Sequence, residues 1–202
     1  MIAPDFFHGC AMKLIRLMTL CMLGLATVPL THASDFEAAL SKETAQFTFR
    51  SDSSVVGWGG ADLGLGFFYN EESDVIGHFS LLQMRQPSQQ NPLTFGVGLK
   101  AYLGVLDEVD ADVFGLGIGG QLRYTIPGTM PMAIYLEGHY APEITSFADI
   151  DRILDYSFGF QIEALPQTIA FVGVRRFEFE LDNGADYDAD DSNIHIGVRL
   201  TF

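Results

Sequence analysis

The sequence predicts an all-β protein: an antiparallel transmembrane β-barrel of about eight strands, with ten strands as the alternative count. Three observations predict it. Hydrophobic residues alternate with glycine or polar residues along many segments, the chain ends on Phe202, and a secretion-type segment precedes the alternating region. Side chains alternate between the two faces of a strand, so each such segment has one apolar face. Hydrophobic residues make up 48% of the chain, but beyond residue 33 no apolar run approaches the roughly 20 residues of a transmembrane helix.

The N-terminal segment has the three parts of a secretory signal peptide. Met12–Arg16 is a short basic start, Leu17–Leu30 is apolar, and Ala33 is a small residue at a cleavage position. We therefore expect residues 1–33 to be removed, with Met12 as an alternative initiator. Both cysteines, Cys10 and Cys21, lie in this segment, so the mature chain is expected to have no disulfide, no metal and no cofactor.

The next segment, residues 34–57, is harder to assign. Asp35–Lys42 is amphipathic, and Gln46–Arg50 alternates over a short stretch. We interpret residues 34–57 as a periplasmic or lumen-packed piece and residues 58–202 as the barrel. Counting this piece as strands leads to the alternative barrel of ten.

The predicted barrel strands follow in order. Alternation is weaker at Gly59–Tyr69, Val75–Met84, Met132–Ala141 and Ile169–Leu181, and strongest in the segments that begin at Leu93, Phe114, Leu154 and Ile194. In Ile169–Leu181 the predicted apolar face consists of Phe171, Phe177, Phe179 and Leu181, and Arg175 interrupts it. Most segments are long for soluble strands and suit a tilted crossing of a bilayer.

The glycines indicate which face points inward. A soluble barrel shows its polar face to water, but here that face is largely glycine, as at Gly96, Gly115 and Gly117. Glycines directed into a narrow lumen leave room for larger polar side chains, so we expect the apolar face to contact lipid. Two aromatic girdles are predicted. Tyr69, Tyr140, Tyr156, Phe177 and Phe179 lie near the loop end, and Trp58, Phe95, Tyr124 and Phe202 lie near the turn end.

The connections indicate the orientation of the barrel. Pro127–Pro131 and Pro166–Thr168 are short turns, whereas Pro142–Arg152 and Asp182–Ser192 are longer and acidic. Short periplasmic turns and longer extracellular loops are typical of outer-membrane barrels. The net charge of −15 argues against a nucleic-acid partner, which would require a basic face.

The candidate functional residues are charged side chains predicted to face the lumen. They are Lys100, Arg123, Glu137, Asp155, Glu163, Arg176, Glu178, Glu180 and Arg199. Buried charges need partners, and the interior of an eight-stranded barrel is just wide enough for side chains. We therefore expect interlocking ion pairs that fill the lumen, which argues against a large pore.

Two further patterns suggest chemistry that the residues do not complete. Asp186, Asp188 and Asp190 have the spacing of a calcium loop, but Asp191 and Gly197 occupy positions that need glycine and glutamate, so no metal site is predicted. His78 and Ser80 share one face of a strand, as in the His-x-Ser pair of some lipid A deacylases. No third partner is identifiable, so we predict a polar lumen pair and no enzyme.

Several motifs resemble a known family. Ile194–Phe202, with hydrophobic residues at alternate positions up to Phe202, resembles the C-terminal signal by which barrel assembly machinery recognises its substrates. Ala45–Arg50, Gly64–Asn70 and Phe114–Gly120 resemble the YfaZ family of outer-membrane proteins of Gram-negative bacteria. The resemblance implies the cell outer membrane and porin-like behaviour, and it brings no catalytic residues.

These observations favour a small barrel with a structural or interaction role. Its expected partners are outer membrane lipids, lipopolysaccharide and the barrel assembly machinery, and the sequence does not indicate an oligomeric state. A narrow channel for small solutes or ions is the alternative function. A lipid A-modifying enzyme is a weaker alternative.

Overall fold

The computed structural model describes residues 34–56, 60–84, 92–128, 130–190 and 194–202. The predicted signal peptide (residues 1–33) and Trp58 lie outside the described residues, so the statements about them remain predictions. Within the described part of the chain, no helix has the length and hydropathy needed to cross a membrane.

Antiparallel strands dominate the structure. Among the described residues they are β1 (Ser34–Leu40), β2 (Thr44–Asp52), β3 (Asp62–Asn70), β4 (Val75–Met84), β5 (Leu93–Leu106), β6 (Ala111–Ile126), β7 (Met132–Ala141), β8 (Ser146–Ala148), β9 (Ile150–Leu165), β10 (Thr168–Leu181), β11 (Asp186–Asp188) and β12 (Ile194–Thr201). Two short 3-10 helices span Ser53–Val56 and Glu143–Thr145.

The sheet closes on itself. The described strands pair in the order β1 to β7, then β9, β10 and β12, and β12 returns to β1. β8 pairs with β6 and β11 with β10 outside this ring. Ten strands therefore form the closed barrel, which corrects the preferred count of eight and agrees with the alternative. Closure leaves no sheet edge unpaired.

The N-terminal piece accounts for the two additional strands. Phe36 of β1 lies opposite Leu200 of β12 and Phe49 of β2, and β2 pairs along its whole length with β3. The interpretation of residues 34–57 as a lumen-packed or periplasmic piece is therefore wrong, because residues 34–52 form barrel wall. β1 and β2 each contain few alternating hydrophobic residues, so the sequence pattern alone does not identify them as strands of the wall.

The outer wall is apolar and exposed. Val97, Ile118 and Ile196, on three different strands, retain 64%, 61% and 64% of their accessible surface. The residues between them along each strand point inward and are mostly buried. The predicted orientation of β5, β6 and β12 is thus confirmed. A continuous apolar exterior of this extent is unusual in a soluble monomer.

The inward-facing glycines leave space for larger side chains across the strand. Gly66 of β3 lies opposite His78 of β4, and Gly64 lies opposite Ser80. A Cβ atom at Gly66 would come within 2.2 Å of the His78 ring. A side chain at position 66 would therefore have to displace the His78 ring, which occupies the space that the glycine leaves free.

The two ends of the barrel differ in charge. We call the end at which β2, β4, β6 and β9 finish the turn end, and the end at which β1, β3, β5, β7 and β10 finish the loop end. Each loop-end connection contains aspartate or glutamate, and the turn-end connections contain neither. The predicted acidic end is thus the loop end.

Aromatic side chains occur on the outer wall near both ends. Tyr69, Tyr140 and Tyr156 are exposed near the loop end, with exposed fractions of 43%, 46% and 37%. Near the turn end, Phe95, Tyr124 and Phe202 are exposed on the outer wall. Six of the predicted girdle residues therefore lie where an interfacial girdle needs them.

β10 has the opposite orientation to the prediction. Phe177 and Phe179 are buried inside the barrel, with 4% and 0% of their surface exposed, and Arg176 between them points outward. The register agrees, since Phe177 lies opposite the inward-facing Asp155 of β9. The loop-end part of β10 therefore resembles a strand of a soluble protein, apolar inside and charged outside. This is expected of a strand that continues beyond a bilayer into water.

Candidate functional site: the barrel lumen

The loop end of the lumen is filled by aromatic side chains. Phe177 packs edge-on against Phe68, with ring centroids 5.5 Å apart, and also contacts Tyr102 and Phe179 at 5.6 and 4.6 Å. Ile153 is fully buried in the same cluster. Aromatic pairs at these separations attract one another in addition to the effect of burial. The cluster closes the lumen with side chains from several strands.

A buried ion pair lies beneath the aromatic cluster. The Lys100 Nζ donates to Asp155 Oδ2 at 2.7 Å, and the Tyr102 hydroxyl donates to the same oxygen at 3.0 Å. The two charged side chains retain 8% and 11% of their surface. Desolvated charges are costly without a partner. Lys100 and Asp155 therefore each need the opposite charge of the other to be stable inside the barrel.

A second group of charges lies nearer the turn end. The Arg199 guanidinium donates to Glu37, with the Nη2 to Oε2 distance at 2.6 Å. Arg50 lies 3.8 Å from carboxylate oxygens of both Glu37 and Glu137, and the Gln121 amide donates to Glu137 at 3.4 Å. Residues from β1, β2, β6, β7 and β12 thus meet across the lumen. Their contacts connect strands that are distant around the ring.

The loop between β10 and β12 enters the barrel from the loop end. Ala189 belongs to the aromatic cluster, and the carboxylate of Asp190 accepts from the Arg175 Nε at 2.5 Å. The Arg175 guanidinium also donates to Thr44 at 3.0 Å and lies 5.0 Å from the Phe68 ring centroid. This loop segment therefore covers the lumen and is bound to a side chain of the wall.

Asp74 holds this covering segment in place. Its carboxylate accepts from the Tyr187 hydroxyl at 2.6 Å and from the Asn70 amide at 2.8 Å. It also accepts from the backbone N–H of Asp107 at 2.8 Å. Partial burial, together with hydrogen bonds to Asp74 and Glu108, raises the pKa of the Tyr187 hydroxyl well above its ordinary value. The tyrosine therefore stays a neutral donor, and three loop-end connections are joined at one carboxylate.

Five of the predicted network residues lie within the barrel. Lys100, Asp155, Glu137 and Arg199 make the contacts given above, and Arg123 faces inward without an ion pair to any described residue. A sixth, Glu163, continues the inward row of β9 but is exposed at the turn end.

The other three predicted residues, Arg176, Glu178 and Glu180, lie on the outside of β10. Arg176 Nη2 is 2.8 Å from Glu178, and its Nε is 2.9 Å from Asp188. Arg152 of β9 contacts both glutamates, at 3.2 and 3.0 Å. The sequence pattern places them in the lumen because it directs the phenylalanine row of β10 toward lipid.

The sequence interpretation missed Glu37, Arg50, Arg175 and Asp190. Glu37 and Arg50 were missed because their segments were not counted as barrel strands. Arg175 was treated as an interruption, although it has the parity of the inward row Phe171, Phe177 and Phe179. The signal that could have found it is the apolar row Ala170, Val172 and Val174 at the even positions, which directs the odd positions of the same strand, including Arg175, toward the lumen.

The space that remains in the lumen is divided. Between the two groups of ion pairs lies a cavity of about 40 Å³, lined by Lys100, Asp155, Tyr135 and Arg175 among others. That is room for a few water molecules. At the turn end the lumen widens into a vestibule of about 390 Å³.

His78 and Ser80 both face the lumen on β4, opposite the glycines of β3. No hydrogen bond between their side chains and a third catalytic group is present among the described residues, and no cluster there could hold a metal ion. The contacts that place these two side chains are the close approaches to Gly66 and Gly64.

A closed antiparallel ring with an apolar exterior and an ion-paired lumen defines a β-barrel of the outer-membrane type. The family model described as YfaZ precursor matches residues 12–202, so the chain belongs to the YfaZ family and the predicted resemblance is confirmed. No curated protein matches the chain.

One solved structure with a similar arrangement is the outer membrane channel DcaP of Acinetobacter baumannii. The TM-score is 0.37 and the sequence identity 10%, over 84% of this chain and 62% of that channel. The chain thus spans less than two thirds of the channel's length.

Proposed function

We propose that this YfaZ-family barrel lies in the cell outer membrane and has a structural or interaction role, with the acidic loop end outside the cell. The observation that carries the proposal is the closed lumen. The two groups of ion pairs, the aromatic cluster and the segment Tyr187–Asp190 follow one another along the axis, and the cavity between the two groups of ion pairs measures about 40 Å³. A passage for solutes would need all three to move.

The location is supported by the outer wall and by the ends. The apolar wall has the alternation of lipid-facing barrels, and aromatic residues flank it. The partners that fit are outer membrane lipids around the wall and lipopolysaccharide at the loop end, where divalent cations could bridge the acidic loops to anionic headgroups. We expect the barrel assembly machinery to recognise Phe202 at the end of β12.

Conductance in planar bilayers tests this function. We expect the refolded wild-type protein to give no reproducible current steps, because the ion pairs, the aromatic cluster and the segment Tyr187–Asp190 occupy the lumen between the vestibule and the loop end. Lys100→Met serves as a lumen variant and Arg176→Gln as an outer-wall control. Steps in the wild type that change in Lys100→Met but not in Arg176→Gln would contradict the proposal and establish the narrow channel instead.

The narrow channel is the second candidate because the turn-end half of the lumen is already open. The vestibule of about 390 Å³ reaches inward as far as Arg50 and Gln121, so the obstruction begins beyond them. A lipid A-modifying role for His78 and Ser80 is disfavoured, since both side chains face the lumen and not the lipid. An unchanged lipid A mass profile on overexpression supports this view, and a change lost in Ser80→Ala contradicts it.

A further inference from the structure

Three arginines surround the vestibule at the turn end. Arg50, Arg123 and Arg199 reach it from β2, β6 and β12, and Asp35, Asp52 and Asp62 line it as well. Its volume of about 390 Å³ falls within the range of small-molecule sites. All six residues belong to the inward rows of their strands, so the vestibule lies inside the wall and away from lipid.

Two of the three guanidinium groups are neutralised by the protein. Arg199 donates to Glu37 with Nε to Oε2 at 2.8 Å, and Arg50 lies within ion-pair distance of Glu37 and Glu137. Two glutamates are thus shared between two arginines. The third, Arg123, makes no ion pair with a described residue, and its Nε is buried with no hydrogen-bond partner among them.

The aspartates of the vestibule lie near Arg123, but none of the ion pairs among the described residues joins one of them to its guanidinium. Asp35 accepts from the Thr201 hydroxyl at 2.6 Å, and Asp52 accepts from the backbone N–H of Ser54 at 2.7 Å. Asp62 is exposed where β3 begins, at the rim. The inner part of the vestibule therefore contains one guanidinium, that of Arg123, without a carboxylate in direct contact among the described residues, and the rim is acidic.

Arg123 is half-buried, and its Nε–H is the group that is buried without an acceptor among the described residues. Such an N–H is costly, because it loses water without a replacement. The planar fork of donors of a guanidinium matches the two oxygens of a carboxylate or a phosphate. We propose that the turn-end vestibule binds a small dissolved oxyanion, a carboxylate or phosphate, with Arg123 as the primary anchor. Arg50 and Arg199 lie behind it and are already ion-paired with glutamates. The site depends on the closed ring of strands. It does not depend on whether the barrel conducts ions.

Titration with inorganic phosphate tests the proposal. The full-length mature protein in a nonionic detergent is labelled with ¹⁵N-arginine, and its side-chain Nε resonances are followed at constant ionic strength set with chloride. We expect saturable shifts of a buried Nε resonance. Arg123→Gln removes that resonance and weakens phosphate binding by about tenfold or more, since a charge-assisted contact is lost. Arg123→Lys keeps the positive charge but lacks the planar pair of donors. Its affinity for phosphate should therefore lie between those of the wild type and Arg123→Gln.

The matched control is Arg176→Gln, which removes an arginine from the outer wall of the same barrel and should leave phosphate binding unchanged. Heat modifiability on gels verifies that each variant has folded. Absence of saturable phosphate binding by the wild type overturns the proposal, whether or not the variants fold. Equal weakening in Arg123→Gln and Arg176→Gln also overturns it, because that result means diffuse attraction to the surface.

Discussion

At the scale of single residues, the lumen is organised by pairs of charges contributed by distant strands. Lys100 and Asp155 come from β5 and β9, which are not neighbours in the ring, and they meet at 2.7 Å. Such a pair adds little net stability compared with well-packed apolar residues, but removal of one partner leaves an uncompensated buried charge. The pair therefore specifies which side chains face each other across the lumen.

We expect Lys100→Met to destabilise the barrel by about 3–5 kcal/mol, because Asp155 then keeps only the Tyr102 hydroxyl as a donor. The double variant Lys100→Met/Asp155→Leu should recover most of this loss, since neither charge remains buried. Urea unfolding in detergent micelles, followed by tryptophan fluorescence, measures both. Arg176→Gln, on the exposed outer side of β10, should change the unfolding midpoint little.

One result would contradict this prediction. If the double variant lost as much unfolding free energy as the two single variants lose together, Lys100 and Asp155 would act independently. Their 2.7 Å contact would then have no energetic role.

At the scale of elements, β5, β6 and β12 could be predicted because the same alternation of outward hydrophobic residues with inward glycine or polar residues continues along their whole length. The exposed positions, such as Val97, Ile118 and Ile196, face outward and the residues between them face inward. β1 and β2 were not predicted as wall because the outward row of each contains only two large hydrophobic residues, Phe36 and Leu40 in β1 and Phe47 and Phe49 in β2. Their role follows from pairing with β12 and β3, which a single strand's sequence does not reveal.

β10 shows a different limit of sequence interpretation. Val172 and Val174 face outward, and farther along the strand Arg176 does so too. The inward row meanwhile passes from Gly173 to Phe177. The environment outside the strand changes along its length, from lipid at Val172 and Val174 to water at Arg176. An interpretation that assumes lipid along the whole strand directs the charged row inward and so reverses the orientation of the strand.

Cysteine labelling tests the orientation of β10. Residues 34–202 contain no cysteine, so single substitutions provide clean reporters. We expect Arg176→Cys to react rapidly with a water-soluble maleimide in the folded barrel, because its side chain is 50% exposed. Phe177→Cys should be protected, because that position is 4% exposed. Both should react equally after denaturation. Faster labelling of Phe177→Cys in the folded protein would restore the orientation predicted from the sequence.

At the scale of the whole molecule, closure of the ring determines both stability and location. Each barrel strand has two neighbours, so the backbone groups along the wall are paired and can face an apolar medium. β1 and β2 complete this ring between β12 and β3. The first and last described residues are also joined, since the Ser34 N–H donates to Phe202 O at 3.0 Å and the reverse bond is 2.9 Å.

Deletion of residues 34–52 therefore tests the count of ten strands. Without β1 and β2 the facing edges of β3 and β12 would be left with unpaired N–H and C=O groups, each costly in a membrane. We expect the deleted protein to lose heat modifiability and to be degraded by proteases that leave the wild type intact. The matched control is a short polar insertion after Lys42, at the loop end between β1 and β2, which lengthens the chain without removing wall and should fold normally. Normal assembly of the deletion would mean that eight strands suffice and that β1 and β2 are accessory, as the sequence first suggested.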